Sequence, residues 1–214
     1  MIVAYSGGKG GSGKSTAAIA CAVDWLTRRK RKVLLVDCDT QKSVLTWAAV
    51  ASEAGHKAPT VVGMGQGLSK PEQLPSLAES HDVTVLDLPG RHDAVVREAL
   101  LVSQLVVLPC GPSAMDVWSL AESIELVTKA QVLRPSLKAV LLLTRVQPRT
   151  SLAQSARNAL EATGLPTLKA QLGYRVTFAE APAAGQGPTT YSPRSPAALE
   201  VHALVNELER LCHD

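Results

Sequence analysis

Aromatic side chains are scarce in this 214-residue chain, which has three Trp, three Tyr and one Phe. Surfaces that bind single-stranded nucleic acid by base stacking need several aromatic rings on one face. The composition therefore argues against a protein of that class. Hydrophobic residues make up 46% of the chain and charged residues 19%, which is ordinary for a globular protein.

Cysteine is also infrequent, and the four cysteines are too far apart to form a C-x-x-C pair. Cys38 and Cys110 lie in apolar, strand-like runs. We interpret the cysteines as reduced residues of an intracellular protein, which excludes a disulfide framework and a cysteine-based metal site. The five histidines form no ligand-spaced cluster either.

Long apolar runs are missing as well, because none reaches the length of a membrane span. The chain opens directly on a strand-like run, so a signal peptide is not expected. These observations predict a cytoplasmic location. The length fits a single domain over residues 1–214 better than two domains.

Positive charge exceeds negative charge slightly, with a formal net charge of +3. Such a balance tolerates a polyanionic partner without demanding one. The distribution is uneven, since the span from Arg134 to Arg194 holds eight basic and two acidic residues. Both a basic surface and scattered solvated side chains are compatible with this pattern.

Short apolar runs alternate with helical patterns along most of the chain. The runs are nearly continuous in hydrophobicity and rich in β-branched residues, as in strands buried on both faces of a parallel sheet. They span 1–6, 32–37, 83–88, 105–109 and 139–144, with weaker candidates at 60–64 and 166–172. Helices are predicted over 14–29, 41–54, 71–80, 93–102, 114–133, 151–163 and 196–212.

This alternation predicts an α/β fold of the doubly wound type, with a mostly parallel sheet and helices on both faces. The segment 173–195 is rich in Gly, Pro, Ser and Thr and shows no clean periodicity. We expect it to be irregular, and long irregular stretches in compact domains are often functional.

A phosphate-binding loop is the strongest chemical signal. Residues 8–15 read GKGGSGKS, which satisfies G-x-x-x-x-G-K-[ST] between a predicted strand and a predicted helix. Backbone N–H groups and the helix N-terminus attract phosphate, Lys14 is expected to reach the β- and γ-phosphates, and the Ser15 hydroxyl to bind Mg²⁺. The predicted nucleotide-binding residues of the loop are Gly8, Lys9, Gly10, Gly11, Ser12, Gly13, Lys14, Ser15 and Thr16.

Carboxylates follow two of the predicted strands. Asp37 and Asp39 close the run KVLLVD and the turn after it, and Asp87 closes VTVLDL. The C-terminal ends of parallel strands face the ligand crevice. Asp87 is therefore predicted as a Mg²⁺ partner, as in a Walker B strand, and Asp39 as a residue that orients the attacking water.

At this point the chain resembles the ParA/MinD group of P-loop ATPases. The run KGGSGKS (9–15) is similar to the group's deviant Walker A motif, in which Lys9 is the additional signature lysine. The runs LLVDCDTQ (34–41), VLDLPG (85–90) and LLLTRV (141–146) resemble its switch segment, Walker B strand and late strand, although Thr40 replaces a usual proline. The tail 178–201 resembles the ParA subgroup.

The resemblance implies an ATP- and Mg²⁺-dependent homodimer in which Lys9 reaches the phosphates of the partner subunit. It also implies that Asp39 positions water for hydrolysis, that Asp37 supports the Mg²⁺ shell, and that Thr144 and Arg145 lie near the adenine. The catalytic residues predicted on this basis are Lys9, Lys14 and Asp39. Hydrolysis by this group is slow and is accelerated by a small adaptor protein of the ParB or ParG kind.

Nonspecific DNA is a second partner that the resemblance implies, with contacts to phosphates and hence strong salt dependence. A location on the nucleoid would follow. The candidate DNA contacts are Arg175 and Arg194, with Lys169 and Arg149 behind them. The basic block RRKRK (28–32) falls at the end of the first predicted helix, away from the nucleotide, and is interpreted as a solvated helix end.

Membrane binding is not expected. It would need a basic amphipathic C-terminal helix like that of MinD proteins. Here the terminal helix is acidic, and its apolar stripe of Val201, Leu204, Val205, Leu208 and Leu211 is expected to pack on the core.

Two alternatives to a cargo-positioning ATPase stay open. One is a metabolic P-loop enzyme that phosphorylates a small molecule, and the other is a nucleotide-gated interaction switch with negligible turnover.

Overall fold

A computed structural model describes residues 1–7, 10–90, 93–147 and 150–213. Of residue 213 only the backbone is described. The described residues form one seven-stranded sheet in which every neighbouring pair is parallel, in the order β3-β2-β4-β1-β5-β6-β7. The strands are β1 (Ile2–Tyr5), β2 (Val33–Asp37), β3 (Thr60–Gly63), β4 (Val83–Asp87), β5 (Leu105–Cys110), β6 (Lys138–Val146) and β7 (Thr167–Gly173). All seven predicted strands are confirmed.

Helices connect the strands. They are α1 (Lys14–Thr27), α2 (Ser43–Glu53), α3 (Leu74–Glu79), α4 (Ala94–Val102), α5 (Ala114–Trp118), α6 (Ala121–Leu133), α7 (Ser151–Glu161), α8 (Thr177–Ala183), α9 (Pro188–Tyr191) and α10 (Pro196–His213). The predicted helix over 114–133 is two helices, because the chain turns at Ser119 and Leu120. The segment 173–195, predicted to be irregular, holds α8 and α9, which are too short to show a helical period.

Hydrophobic residues pack on both faces of the sheet because side chains alternate along each strand. Tyr5 and Leu35 face α1, α2 and α10, whereas Ala4 and Leu34 face α4, α6 and α7. This arrangement confirms the doubly wound α/β prediction.

The C-terminal helix packs on the core as predicted. In its stripe, Val201, Leu204, Val205 and Leu208 are fully buried and Leu211 is partly buried against the same core. Its acidic residues bond to the body of the domain: Glu207 accepts hydrogen bonds from the backbone N–H groups of residues 169 and 170. Among the described residues, no helix is both long and apolar enough to cross a membrane.

The basic block 28–32 is only partly solvated, which refines the interpretation of it as a solvated helix end. Arg28 forms an ion pair with Asp24 at 2.6 Å, and Arg29 forms one with Glu209 of α10 at 2.8 Å. The following three residues, 30–32, are exposed. The Arg29–Glu209 pair thus joins the end of α1 to α10, whereas the Arg28–Asp24 pair is local to the end of α1.

Two glycines with left-handed backbones differ in what surrounds them. Gly55 ends α2 with φ +67°, and a Cβ there would meet nothing within 4 Å. Gly185 has φ +69°, but its Cβ would lie 2.6 Å from backbone atoms of Ala51 in α2. The loop after α8 can approach α2 this closely only with glycine at 185.

We therefore expect Gly185→Ala to destabilise the protein by about 2 kcal/mol more than Gly55→Ala. Both changes place alanine at a positive φ, a strain of about 1–2 kcal/mol. Only the first also forces α2 and the loop apart, which costs about 1–3 kcal/mol in a packed region. Urea unfolding of the two variants measures the difference. Equal losses would show that the loop moves away from α2 at no cost.

Candidate functional site

The loop between β1 and α1 lies at the carboxyl edge of the sheet. β1 has β4 on one side and β5 on the other, so the strand order reverses here, which is where ligands bind in sheets of this type. Gly13, with φ +95°, is the residue before α1, and the Thr144 side chain lies 3.6 Å from the place a Cβ would occupy. Thr144 Oγ1 also donates to the Ser12 carbonyl at 2.8 Å. The predicted context of strand, loop and helix is present.

Gly8 and Lys9 lie outside the described residues, so their predicted roles stay predictions. Gly10 and Gly11 are exposed, and Ser15 and Thr16 are half-buried in the first turn of α1. The Ser12 hydroxyl is buried and has no hydrogen-bond partner among the described residues. A buried hydroxyl of this kind is available to a ligand.

Lys14 is held in a poorly hydrated position. It is 7% exposed. Burial lowers the pKa of Lys14, and the nearby carboxylates of Asp87 and Asp39 act in the opposite direction. A phosphate group would add the same kind of support to the charged ammonium.

Asp87 ends β4 and is 1% exposed. Neither of its carboxylate oxygens accepts a hydrogen bond of good geometry from the described residues, although the Ser15 hydroxyl is close enough to act on the carboxylate. Burial raises the pKa of Asp87 to about 7; the Ser15 hydroxyl and Lys14 oppose the rise, and the carboxylates of Asp37 and Asp39 add to it. An ionised carboxylate with no well-formed hydrogen bond is costly to bury, so Asp87 is suited to a cation or an ordered water.

Asp37 ends β2 and pairs in register with Asp87 of β4. Both of its oxygens accept hydrogen bonds from backbone N–H groups, namely those of Asp39, Val44 and Leu45. Asp39 lies in the turn that follows, and its Oδ1 accepts from the N–H of Gln41 at 3.0 Å. The three predicted carboxylates therefore meet at one place but differ in the donors they already have.

A cavity of about 440 Å³ opens beside the loop. Its wall includes Gly11, Thr16 and the predicted pair Thr144 and Arg145. The volume is in the range of small-ligand sites. The opposite wall is formed by residues 172–176, 178 and 179 and includes Tyr174 and Phe178, and the sequence analysis did not assign it to nucleotide binding. Two of the chain's seven aromatic residues lie in this wall, so the few aromatic positions were the sequence signal that could have pointed to it.

Arg145 has a left-handed backbone, with φ +54°. Its guanidinium contacts Asp116 of α5 at 3.3 Å, as well as lining the cavity. A Cβ at Gly111 would lie 2.4 Å from both of these side chains. Glycine at 111 is thus required for the Arg145–Asp116 contact.

The candidate DNA contacts do not share one environment. Arg175 forms an ion pair with Glu200 at 2.8 Å and lines the cavity. Lys169 and Arg194 are exposed. Arg149 lies outside the described residues. The structure therefore leaves Arg194 and Lys169 as the more accessible of the described candidates.

Mg²⁺ is compatible with the residues present. Among the described residues, no group of three or more His, Cys, Asp or Glu side chains is arranged to hold a metal ion. Mg²⁺ in nucleotide sites needs only one or two protein ligands, with phosphate and water oxygens supplying the rest. The buried Asp87 carboxylate and the Ser15 hydroxyl fit this requirement.

Comparison with known proteins identifies the family. A family profile described as the CobQ/CobB/MinD/ParA nucleotide binding domain matches residues 3–189. The chain belongs to this family. The resemblance to ParA/MinD proteins seen in the sequence is confirmed, and so is the expectation of a nucleotide ligand.

Individual relatives agree with this assignment. The chain is 30% identical to the maintenance of carboxysome distribution protein A of Halothiobacillus neapolitanus, over 94% of this chain and 92% of the relative. It is 34% identical to the protein of the same name from Gloeobacter kilaueensis, over 98% and 94%. The septum site-determining protein MinD of Pyrococcus horikoshii, solved with Mg-ADP, has the same fold, with a TM-score of 0.73, 21% identity and coverage of 98% and 96%.

The pKa of Asp87 gives a prediction for the nucleotide-free protein. Because its folded pKa of about 7 exceeds the ordinary 3.8, the carboxylate costs no stability below the ordinary value. As the pH rises to about 7, ionising the buried carboxylate lowers the free energy of unfolding progressively, and above that pH the loss is constant. Between about pH 5.5 and about pH 8 the loss is about 2 kcal/mol.

We expect Asp87→Asn to remove this loss, as measured by urea unfolding at the two pH values in a chelating buffer. Asp93→Asn, at an exposed position before α4, is the matched control and should keep the wild-type difference. An Asp87→Asn variant with the wild-type pH dependence would contradict the assigned cause.

Proposed function

We propose that this chain is a single-domain ATPase, over residues 1–214, that positions a cargo in the cell. The observation that carries the proposal is the pair of buried, poorly hydrated charges at the carboxyl edge of the sheet. Lys14 begins α1, and Asp87, which accepts no hydrogen bond of good geometry from the described residues, ends β4, the strand beside β1. MgATP would stabilise both, since its phosphates are anionic and its metal is cationic.

We propose the following roles for the residues of the site. Residues 8–16, including Lys9, cradle the phosphates, and Thr144 and Arg145 contact the nucleoside in the cavity. Ser15 and Asp87 hold Mg²⁺, which supplies charge neutralisation at the phosphates when bound. Asp39 orients the attacking water, and hydrolysis is slow without an adaptor.

Dimerisation is the second part of the proposal. ATP in two facing subunits would bring two sets of phosphates together, and Lys9 from each side would offset their repulsion. The dimer would then depend on the γ-phosphate, and hydrolysis would release it. Any basic surface on the subunit is doubled in such a dimer.

The third part concerns partners and cargo. We propose nonspecific DNA as the support, through Arg194 and Lys169, in a cytoplasmic protein associated with the nucleoid, with a small ParB- or ParG-like adaptor and no membrane contact. Two relatives that are at least 30% identical are named for carboxysome distribution, which favours a large protein assembly over a plasmid as cargo.

A metabolic ATP-dependent ligase is the second candidate, because the family description also names CobQ and CobB. An enzyme of that kind would hydrolyse ATP only with its small-molecule substrate present. Turnover stimulated by DNA or by an adaptor would exclude it.

Two variants of the site test the ATPase and its dimer. Lys14→Ala should abolish ATP binding, because the phosphates lose their buried cation. Asp39→Ala should bind ATP, form the dimer and fail to hydrolyse it, because the water is no longer oriented. Size-exclusion chromatography with ATP, ADP or no nucleotide, combined with phosphate release, distinguishes these states.

Tight ATP binding by Lys14→Ala would refute the phosphate-loop assignment. Wild-type turnover by Asp39→Ala would refute its role in hydrolysis. A wild-type protein that stays monomeric with ATP would remove the dimer from the proposal.

Arg194→Glu should weaken binding to nonspecific DNA by about tenfold or more at low salt, because it removes a cation and adds an anion at each site of a dimer. Arg31→Glu makes the same charge change just before β2, at the amino edge of the sheet, and should leave binding within about twofold. Gel shifts with ATP measure both. Equal effects of the two variants would show that net charge, and not a local surface, governs the binding.

A further inference from the structure

The first turn of α2 has no cap of its own. The residue before it, Lys42, has φ +55° and makes no side-chain capping bond. The first N–H groups of a helix need acceptors from outside the helix. For α2 the acceptor comes from the end of a strand, since Asp37 Oδ2 accepts from Val44 at 2.9 Å and from Leu45 at 3.0 Å.

The other oxygen of Asp37 holds the turn between β2 and α2. Oδ1 accepts from the N–H of Asp39 at 3.1 Å. The N–H of Lys42 in turn donates to the Asp39 carbonyl at 3.0 Å. One buried carboxylate therefore fixes both the start of α2 and the backbone of the residue proposed to orient water.

Asp87 provides the contrast on the neighbouring strand. The two residues pair in register and are similarly buried, at 3% and 1% exposure. Asp37 accepts from three backbone N–H groups, whereas neither oxygen of Asp87 accepts a hydrogen bond of good geometry from the described residues. A metal ligand must offer a lone pair, and on Asp37 most are already used.

From this contrast we infer that Asp37 is a positioning residue, which anchors α2 and the Asp39 turn to the sheet, and that Asp87 is the strand-end carboxylate that serves Mg²⁺. The inference rests on the proposed function, and it changes the role that the sequence suggested for Asp37. Withdrawing Asp37 to bind metal would leave the start of α2 without its acceptor. The negative charge of Asp37 also suits a helix N-terminus.

A second attachment of α2 keeps variants of Asp37 testable. Trp47 is 4% exposed and its indole Nε1 donates to the Gln186 carbonyl at 3.1 Å. Gly185 also packs against the backbone of Ala51. Loss of the Asp37 anchor is therefore expected to free the first turn of α2 and leave the rest of the helix packed.

The experiment compares Asp37→Ala, Asp37→Asn and Asp87→Asn. The amide oxygen of asparagine at 37 can still accept from residues 44 and 45, but its NH₂ group cannot accept from the N–H of Asp39. Amide exchange by NMR on the nucleotide-free protein should be at least about tenfold faster at 44 and 45 in the alanine variant. In Asp37→Asn those two amides should stay protected, and the amide of 39 should exchange faster.

The Mg²⁺ concentration needed for ATP binding distinguishes a metal ligand from a residue that only holds the structure. We titrate MgCl₂ into protein with ATP and measure the concentration that gives half-maximal ATP binding. Asp37→Asn should stay within about twofold of wild type, whereas Asp87→Asn should need at least about tenfold more Mg²⁺. For Asp37→Asn, kcat should fall at least about tenfold with KM unchanged, because only the placement of Asp39 is lost.

A magnesium requirement raised equally in Asp37→Asn and Asp87→Asn would overturn the inference and make Asp37 a metal ligand. Unchanged exchange at 44 and 45 in Asp37→Ala would overturn it too, because no anchor would exist. Failure of the proposed function has a different signature, since the wild-type protein would then not bind MgATP while the exchange measurements would still decide the anchor.

Discussion

The candidate site depends on the parallel register of three neighbouring strands. Tyr5 of β1, Asp87 of β4 and Asp37 of β2 lie in one row across the sheet. Because the strands are parallel, their carboxyl ends meet at the same edge. The loop that leaves β1 therefore passes over two carboxylates that are far away in the sequence. A shift of one residue would move each carboxylate to the other face of the sheet.

Asp37 and Asp87 are both buried at this edge, but their carboxylates have different surroundings. Asp37 is paired with the N-terminus of a helix, so its charge contributes to the fold. Asp87 has no such donors, and burial raises its pKa to about 7. The carboxylate of Asp37 is thus used to stabilise the fold, whereas that of Asp87 is available to a ligand. Such a site gains more from binding a cation than a fully hydrated carboxylate would.

The strands and the phosphate loop could be predicted because their signals are local. Buried parallel strands such as β5 are continuous apolar runs, and the loop motif needs only adjacent residues in the correct order. The break between α5 and α6 could not be predicted, since the turn at Ser119 and Leu120 has no proline or glycine to mark it. The bonds of Asp37 to α2 were also inaccessible, because the sequence does not show how a helix is placed above a strand end.

Ion pairs between residues far apart in the sequence explain why the sequence did not show which basic residues are free to bind a polyanion. Arg175 lies in a basic span of the sequence, yet it is paired with Glu200 of α10. Arg29 belongs to the most basic block and is paired with Glu209 of the same helix. Two acidic residues of the C-terminal helix thus neutralise cations that the fold brings to them, which is a different use of charge from solvation. A polyanion would therefore be attracted by the cations that α10 leaves unpaired. The position of these cations depends on how α10 packs, and not on the density of basic residues in the sequence.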